Sequence, residues 1–107
     1  MLNQCPVGVT LSLISNKWTF LILHELGSDA KRPSALKRSL EGISQKVLTE
    51  NLRSMEEHGL ICRKSYNEVP PKVEYSLTDL GSSLLPILDE MYVWGKQYMD
   101  AMHLPTA

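Results

Sequence analysis

A chain of 107 residues, 43% hydrophobic and 21% charged, is long enough to bury about two-thirds of its unfolded surface; it needs no metal or disulfide staple and leaves no comfortable room for a second domain. Its two cysteines, Cys5 and Cys62, lack the paired spacing of zinc or thioredoxin-type motifs, the opening MLNQCPVGVT lacks the basic flank and apolar core of a signal peptide, and no apolar run reaches membrane-spanning length. A cytoplasmic protein of a single domain spanning 1–107 is expected, and the net charge of −1 sets no preference for a nucleic-acid partner until its distribution is read.

Val7 to Ile14 reads as a short helix of small and apolar residues. Ser15 or Asn16 can then cap a second helix, KWTFLILHEL, which ends at Gly27. Trp18, Leu21, Ile22 and Leu26 form its core stripe, widened by Phe20 and Leu23. The segment SDAKRP is polar and turn-like, and it delivers Pro33 to the first turn of a short helix with Leu36 and Leu40 as its inward pair. Glu41 and Gly42 make a tight turn into a further helix, about 44–58, capped by Ser44 and closed by Gly59.

In that helix Val47, Leu48, Leu52 and Met55 cluster on one side of a 100° wheel. Gln45, Lys46, Thr49 and Arg53 lie outside, and these are side chains that hydrogen-bond to base edges and phosphates. An ordinary solvated surface helix shows the same pattern, so the surrounding chain has to decide. Residues 31–53 hold six basic side chains against two acidic ones, a net +4, whereas residues 79–107 carry a net −3. Two helices joined by a short turn with basic outer faces have the spacing of a helix-turn-helix unit.

After Gly59 the helical period stops. LICRKSY, the turn-rich NEVPPK and the alternating VEYSL make a β-hairpin at about 61–77, decorated by Arg63, Lys64 and Lys72. Thr78 and Asp79 open a last helix at about 79–102, with a bend expected at Pro86. Its apolar stripe includes Leu84, Leu88, Met91, Trp94, Tyr98 and Met102, broader than one small domain needs. A homodimer interface is the expected use of the excess. The fold class is therefore mainly α with a small β-wing: a winged helix-turn-helix, with helices at both termini forming a dimer interface.

With these elements placed, the chain resembles the bacterial HxlR-type winged-helix transcriptional regulators over nearly its whole length. The likeness rests on CPV at Cys5, NKWTFLIL around Trp18, LKRSLEGISQKVLTENLRSMEEHGLI, VPPKVEYSLTDLGSSL and LDEMYVWG. It implies a homodimer, paired through its N- and C-terminal helices, that sets two recognition helices in successive major grooves of a pseudo-palindromic double-stranded DNA operator. Pro33, Ser34 and Ala35 depart from the family, whose members usually have an aromatic and an acidic residue there.

In the DNA reading Gln45 and Arg53 suit paired hydrogen bonds to adenine and guanine, while Lys46 and Thr49 suit bases or phosphates. Lys17, Ser34, Lys37, Lys64 and Lys72 are expected on the DNA backbone, which sets register without reading sequence. Glu50, on the outward face, would repel phosphate unless it accepts from a cytosine amine or orients Arg53. Cys5 precedes Pro6 and a helix start, where backbone amides favour a thiolate; it is the candidate redox or electrophile sensor, a use that the resemblance attributes to some members, and the alternative is a partly buried structural thiol, since free cysteine commonly behaves as a small hydrophobe. Cys62 is read as structural.

His24, His58 and His103 are scattered, and neither a metal-binding spacing, a phosphate loop nor a nucleophile motif is present. No catalytic residue, metal or cofactor is expected. The alternative is a winged helix used for protein interaction without specific DNA binding, which would not need the net positive segment and would not bind duplex DNA with strong salt dependence.

Overall fold

The computed structural model describes residues 5–105. Five helices and one hairpin follow in the order α1 (Pro6–Leu13), α2 (Lys17–Leu26), α3 (Pro33–Ser39), α4 (Gln45–Glu57), β1 (Ile61–Tyr66), β2 (Lys72–Leu77) and α5 (Asp79–Ala101). The chain is a winged helix-turn-helix.

Each long helix starts where a polar side chain satisfies free amides. Asn16 Oδ1 accepts from Trp18 and Thr19 at 2.9 and 3.2 Å, and Ser44 Oγ accepts from Val47 at 3.1 Å. Helix α4 ends at Gly59, whose φ of 78° lets the Leu60 amide turn back to the Met55 carbonyl at 2.9 Å. Thr78 fastens the next junction: its hydroxyl donates to the Gly59 carbonyl at 2.6 Å and accepts from the Gly81 amide at 3.0 Å. Helix α5 then passes so close to Leu60 that a Cβ on Gly81 would lie 2.0 Å from the Leu60 carbonyl oxygen, so only glycine fits.

The core gathers Ile22, Leu23 and Leu26 from α2, Leu36 and Leu40 around α3, and Leu48, Leu52 and Met55 from α4, closed by Leu60, Ile61, Leu84 and Leu88. Leu23 is wholly buried, while Trp18 and Leu21, expected in the α2 stripe, pack only at the margin. Buried Thr19 takes the central place and its hydroxyl reaches Asn51 Oδ1 on α4 at 3.5 Å.

Strands β1 and β2 pair antiparallel from Ile61 opposite Leu77 to Tyr66 opposite Lys72. A third partner joins within the polar segment before α3: Lys31 and Tyr75 exchange backbone hydrogen bonds of 2.9 and 2.8 Å. One bridging residue has no periodicity, so pattern reading takes it for loop.

Helix α5 runs unbroken through Pro86. Leu84 and Leu88, expected at a dimer interface, are instead 8% and 4% exposed within the chain's own core, which corrects that assignment. Leu80 and Ile87 lie exposed on its first half, and beyond Leu88 no residue of the helix is buried: Met91, Tyr92, Val93, Trp94, Tyr98 and Met102 all lie exposed. Trp94 and Tyr98 stack with centroids 5.4 Å apart. Helix α1 buries none of its residues and exposes Val7 and Leu11.

Candidate nucleic-acid interface

The inward face of α4 is fixed by Leu48, Leu52 and Met55, so its outward residues stand on a rigid support. Gln45, Lys46, Thr49 and Arg53 are all exposed. Gln45, Thr49 and Arg53 share a groove of about 420 Å³ with Pro33 from α3, Glu56, and Arg63 and Tyr75 from the hairpin. Helix and wing therefore form one continuous surface. Gln45 Nε2 donates to Thr49 Oγ1 at 3.2 Å, holding both side chains in place until a stronger acceptor displaces them.

Ion pairing leaves this surface positive. The salt bridges among the described residues are Lys31–Asp29 at 3.2 Å and Lys72–Glu68 at 3.1 Å, so Arg53 and Arg63 share their groove with Glu56 without an ion pair to it. Glu50 does not join the groove. It borders a separate recess with Asn16, Val47, Asn51 and Ser54, and it forms no ion pair with Arg53.

The expected backbone contacts fall into two groups. Ser34 and Lys37 lie exposed on α3, and Lys17 lies exposed at the start of α2 with its ammonium 4.8 Å from the Trp18 ring centroid. Lys64 and Lys72 are separated from the α4 groove by strand alternation. Lys64 opposes Glu74 and places its ammonium 5.0 Å from the Tyr66 ring, and Lys72 is held by Glu68. Arg63, one residue before Lys64, is the basic wing side chain that lines the groove, beside Tyr75. Its register opposite Tyr75, the middle residue of the inward set Val73, Tyr75 and Leu77, is the signal that identifies it.

Both thiols are free and exposed. Cys5 stands at the N-cap of α1, where the amides of Gly8 and Val7 favour the thiolate and hold its pKa below the ordinary thiol value. Cys62, read as structural, is exposed on β1, and its sulfur lies 3.2 Å from Ser76 Oγ across the hairpin. No group of three or more His, Cys, Asp or Glu side chains among the described residues is arranged to hold a metal ion. No single helix among them is long and apolar enough to cross a membrane.

The model of the HxlR-like helix-turn-helix family matches residues 13–103. The chain belongs to this family. HxlR-like relatives include the HTH-type transcriptional regulator YkvN of Bacillus subtilis, 50% identical over 97 residues that cover 91% of this chain and 82% of YkvN. The solved structure of the HTH-type regulator YtcD, also of Bacillus subtilis, superposes with a TM-score of 0.82 at 45% identity, covering 91% of this chain and 99% of that one. The redox regulator HypR in its reduced form gives a TM-score of 0.84 at 38% identity, covering 92% and 98%. As an HxlR-like protein this chain is a helix-turn-helix transcriptional regulator.

Proposed function

We propose that the chain is a sequence-specific regulator that binds a pseudo-palindromic operator as a homodimer, acting in the cytoplasm by binding rather than by catalysis, with residues 1–107 as one DNA-binding domain. The observation that carries this reading is the open groove in which Gln45, Thr49, Arg53 and Arg63 meet, with neither arginine ion-paired among the described residues. Gln45 and Arg53 offer paired donors or acceptors to base edges, and Lys46 and Thr49 extend the same helix face. Lys17, Ser34 and Lys37 hold phosphates from α2 and α3, with Lys64 and Lys72 of the wing making outer contacts.

Dimerisation supplies the second recognition helix. The exposed Met91, Trp94, Tyr98 and Met102 of α5, with Val7 and Leu11 of α1, are the apolar surface available for a second copy. A gel shift with the promoter region beside its own gene, at two salt concentrations, tests the DNA reading. Specific retardation that weakens steeply with salt is expected; salt-insensitive or absent binding favours the protein-interaction alternative.

Cys5 is the sensor in this reading. Its exposed thiol at a helix start is activated for attack on oxidants and electrophiles, and the neighbouring HypR structure is that of a redox regulator. Alkylation of Cys5 should persist to lower pH than alkylation of an ordinary thiol, because its thiolate forms at lower pH. Operator affinity should change on treatment with diamide or a quinone in the wild type and stay constant in Cys5→Ser. Equal responses of the two proteins would remove Cys5 from the mechanism.

A further inference from the structure

Helices α2 and α4 pack directly, and their core faces are aliphatic: Ile22, Leu23 and Leu26 on the first, Leu48, Leu52 and Met55 on the second. Burial of such side chains holds the helices together but is non-directional. A hydrogen bond between them has a direction, and one is present.

Thr19, 3% exposed, is the one buried polar side chain among the described residues. Its hydroxyl donates to Asn51 Oδ1 on α4 at 3.5 Å, across a sequence separation of 32 residues. Asn51 is fixed from its other end, where Nδ2 donates to the Val47 carbonyl one turn earlier in α4 at 2.9 Å. With its nitrogen so held, the amide aims its oxygen at α2. Asn51 also borders the open recess of about 360 Å³ formed with Asn16, Val47, Glu50 and Ser54. Water in that recess can replace the Thr19 hydroxyl on the Asn51 oxygen, so the bond contributes direction more than stability.

Direction matters here because of where Asn51 stands on its helix. At 3.6 residues per turn it lies roughly 160° around α4 from both Thr49 and Arg53, so a rotation that shifts Asn51 carries the outward side chains about the same axis. A helix with its side chains is about 10–12 Å across, and a rotation of roughly 10° moves a side-chain tip by about 1 Å. Recognition geometry tolerates about half of that.

We infer that Thr19 and Asn51 are positioning residues: their hydrogen bond fixes the rotation of α4 on α2, and through it the discrimination between DNA sequences. The rotational half stands on the contact alone; the DNA half rests on the proposed function above.

Two variants of Thr19 pull stability and positioning apart. Thr19→Val keeps the branched shape and loses the hydroxyl, whereas Thr19→Ser keeps the hydroxyl and loses a buried methyl. Thr19→Val should keep a urea midpoint near that of the wild type. It should lower affinity for a duplex carrying the promoter region beside its own gene by roughly tenfold, the scale of one misplaced base contact, and leave affinity for a scrambled duplex unchanged. Thr19→Ser should unfold at lower urea yet keep the wild-type ratio of the two affinities. In an Asn51→Ala background, Thr19→Val should lower the ratio no further. Without DNA, Thr19→Val should shift the amide resonances of Lys46, Thr49 and Arg53 on the outer face of α4, and Thr19→Ser should leave them in place.

A wild-type ratio in folded Thr19→Val, or a ratio that falls in step with stability across the two variants, would reduce Thr19 to packing and overturn the proposal. Additive losses in the double variant would overturn the pairing with Asn51. If the wild type binds no duplex DNA, the proposed function fails with the DNA half, and the resonances decide the rotation: shifts confined to the residues facing α2 would overturn it. Should Thr19→Val fail to fold, Asn51→Ala, at the half-buried margin of the same contact, carries the affinity and resonance comparisons in its place.

Discussion

Helices α4 and α5 begin alike and end differently. Ser44 caps the first through the Val47 amide at 3.1 Å and Thr78 caps the second through the Gly81 amide at 3.0 Å, and each helix carries an apolar stripe. Helix α4 turns Leu48, Leu52 and Met55 inward and leaves Gln45, Lys46, Thr49 and Arg53 outside. Helix α5 buries Gly81, Leu84 and Leu88 and then exposes Met91, Trp94, Tyr98 and Met102. What each helix leaves uncovered differs in chemistry: α4 exposes hydrogen-bonding and charged side chains of both signs, with Arg53 beside Arg63 of the wing, whereas α5 exposes aromatic rings and thioethers, which suit another apolar surface.

The sharpest way to break this contrast is to compare the two halves of α5. Leu88→Ala removes a side chain that is 4% exposed and should cost about 2–5 kcal/mol in urea unfolding. Trp94→Ala removes a ring that is 64% exposed; it should leave the protomer folded and shift sedimentation toward monomer. If Trp94→Ala unfolds the protomer as Leu88→Ala does, the division of α5 at Leu88 is wrong.

The outward face of α4 is tested next. Arg53→Ala should weaken specific binding by about 1–3 kcal/mol and relax sequence preference, without moving the thermal midpoint. Arg63→Ala should also weaken binding, since its side chain shares the groove. Unchanged affinity and preference in Arg53→Ala would mean that this face does not read DNA. A smaller effect separates the two caps. Ser44→Ala should cost about 1 kcal/mol, and Thr78→Ala more, because the Thr78 hydroxyl also donates to the Gly59 carbonyl.

Most of this architecture was legible because local signals agreed. Pro33 at a helix start, the polar caps and the period of Val47, Leu48, Leu52 and Met55 all specify the same elements that the chain forms. The apolar stripe of α5 was legible as a stripe, but periodicity does not say which of its residues meet the chain's own core. Leu84 and Leu88 lie inside because α5 closes down on Leu60 at Gly81, a close approach that no residue pattern encodes. The groove shows the same limit. Gln45, Thr49 and Arg53 follow from one helix face, whereas adding Arg63 in place of Lys64 requires the hairpin register and the Lys31–Tyr75 bridge that fixes β2 from its other edge.

The smallest expected effect belongs to Lys72, and its size distinguishes the two faces of the wing. Lys72 is already paired with Glu68 at 3.1 Å, with both side chains partly exposed, so the pair itself is worth at most about 1 kcal/mol to the fold. For Lys72 to hold a phosphate, its ammonium must leave or share that carboxylate, and Glu68 would then stand near the same phosphate. Lys72→Ala should therefore weaken binding to all sequences alike and by less than Arg63→Ala, which removes a guanidinium with no such competing partner. Affinity measured on specific and scrambled duplexes decides the order. A larger loss for Lys72→Ala would move the DNA from the α4 groove to the outer face of the hairpin, where Lys64, Tyr66 and Lys72 lie together.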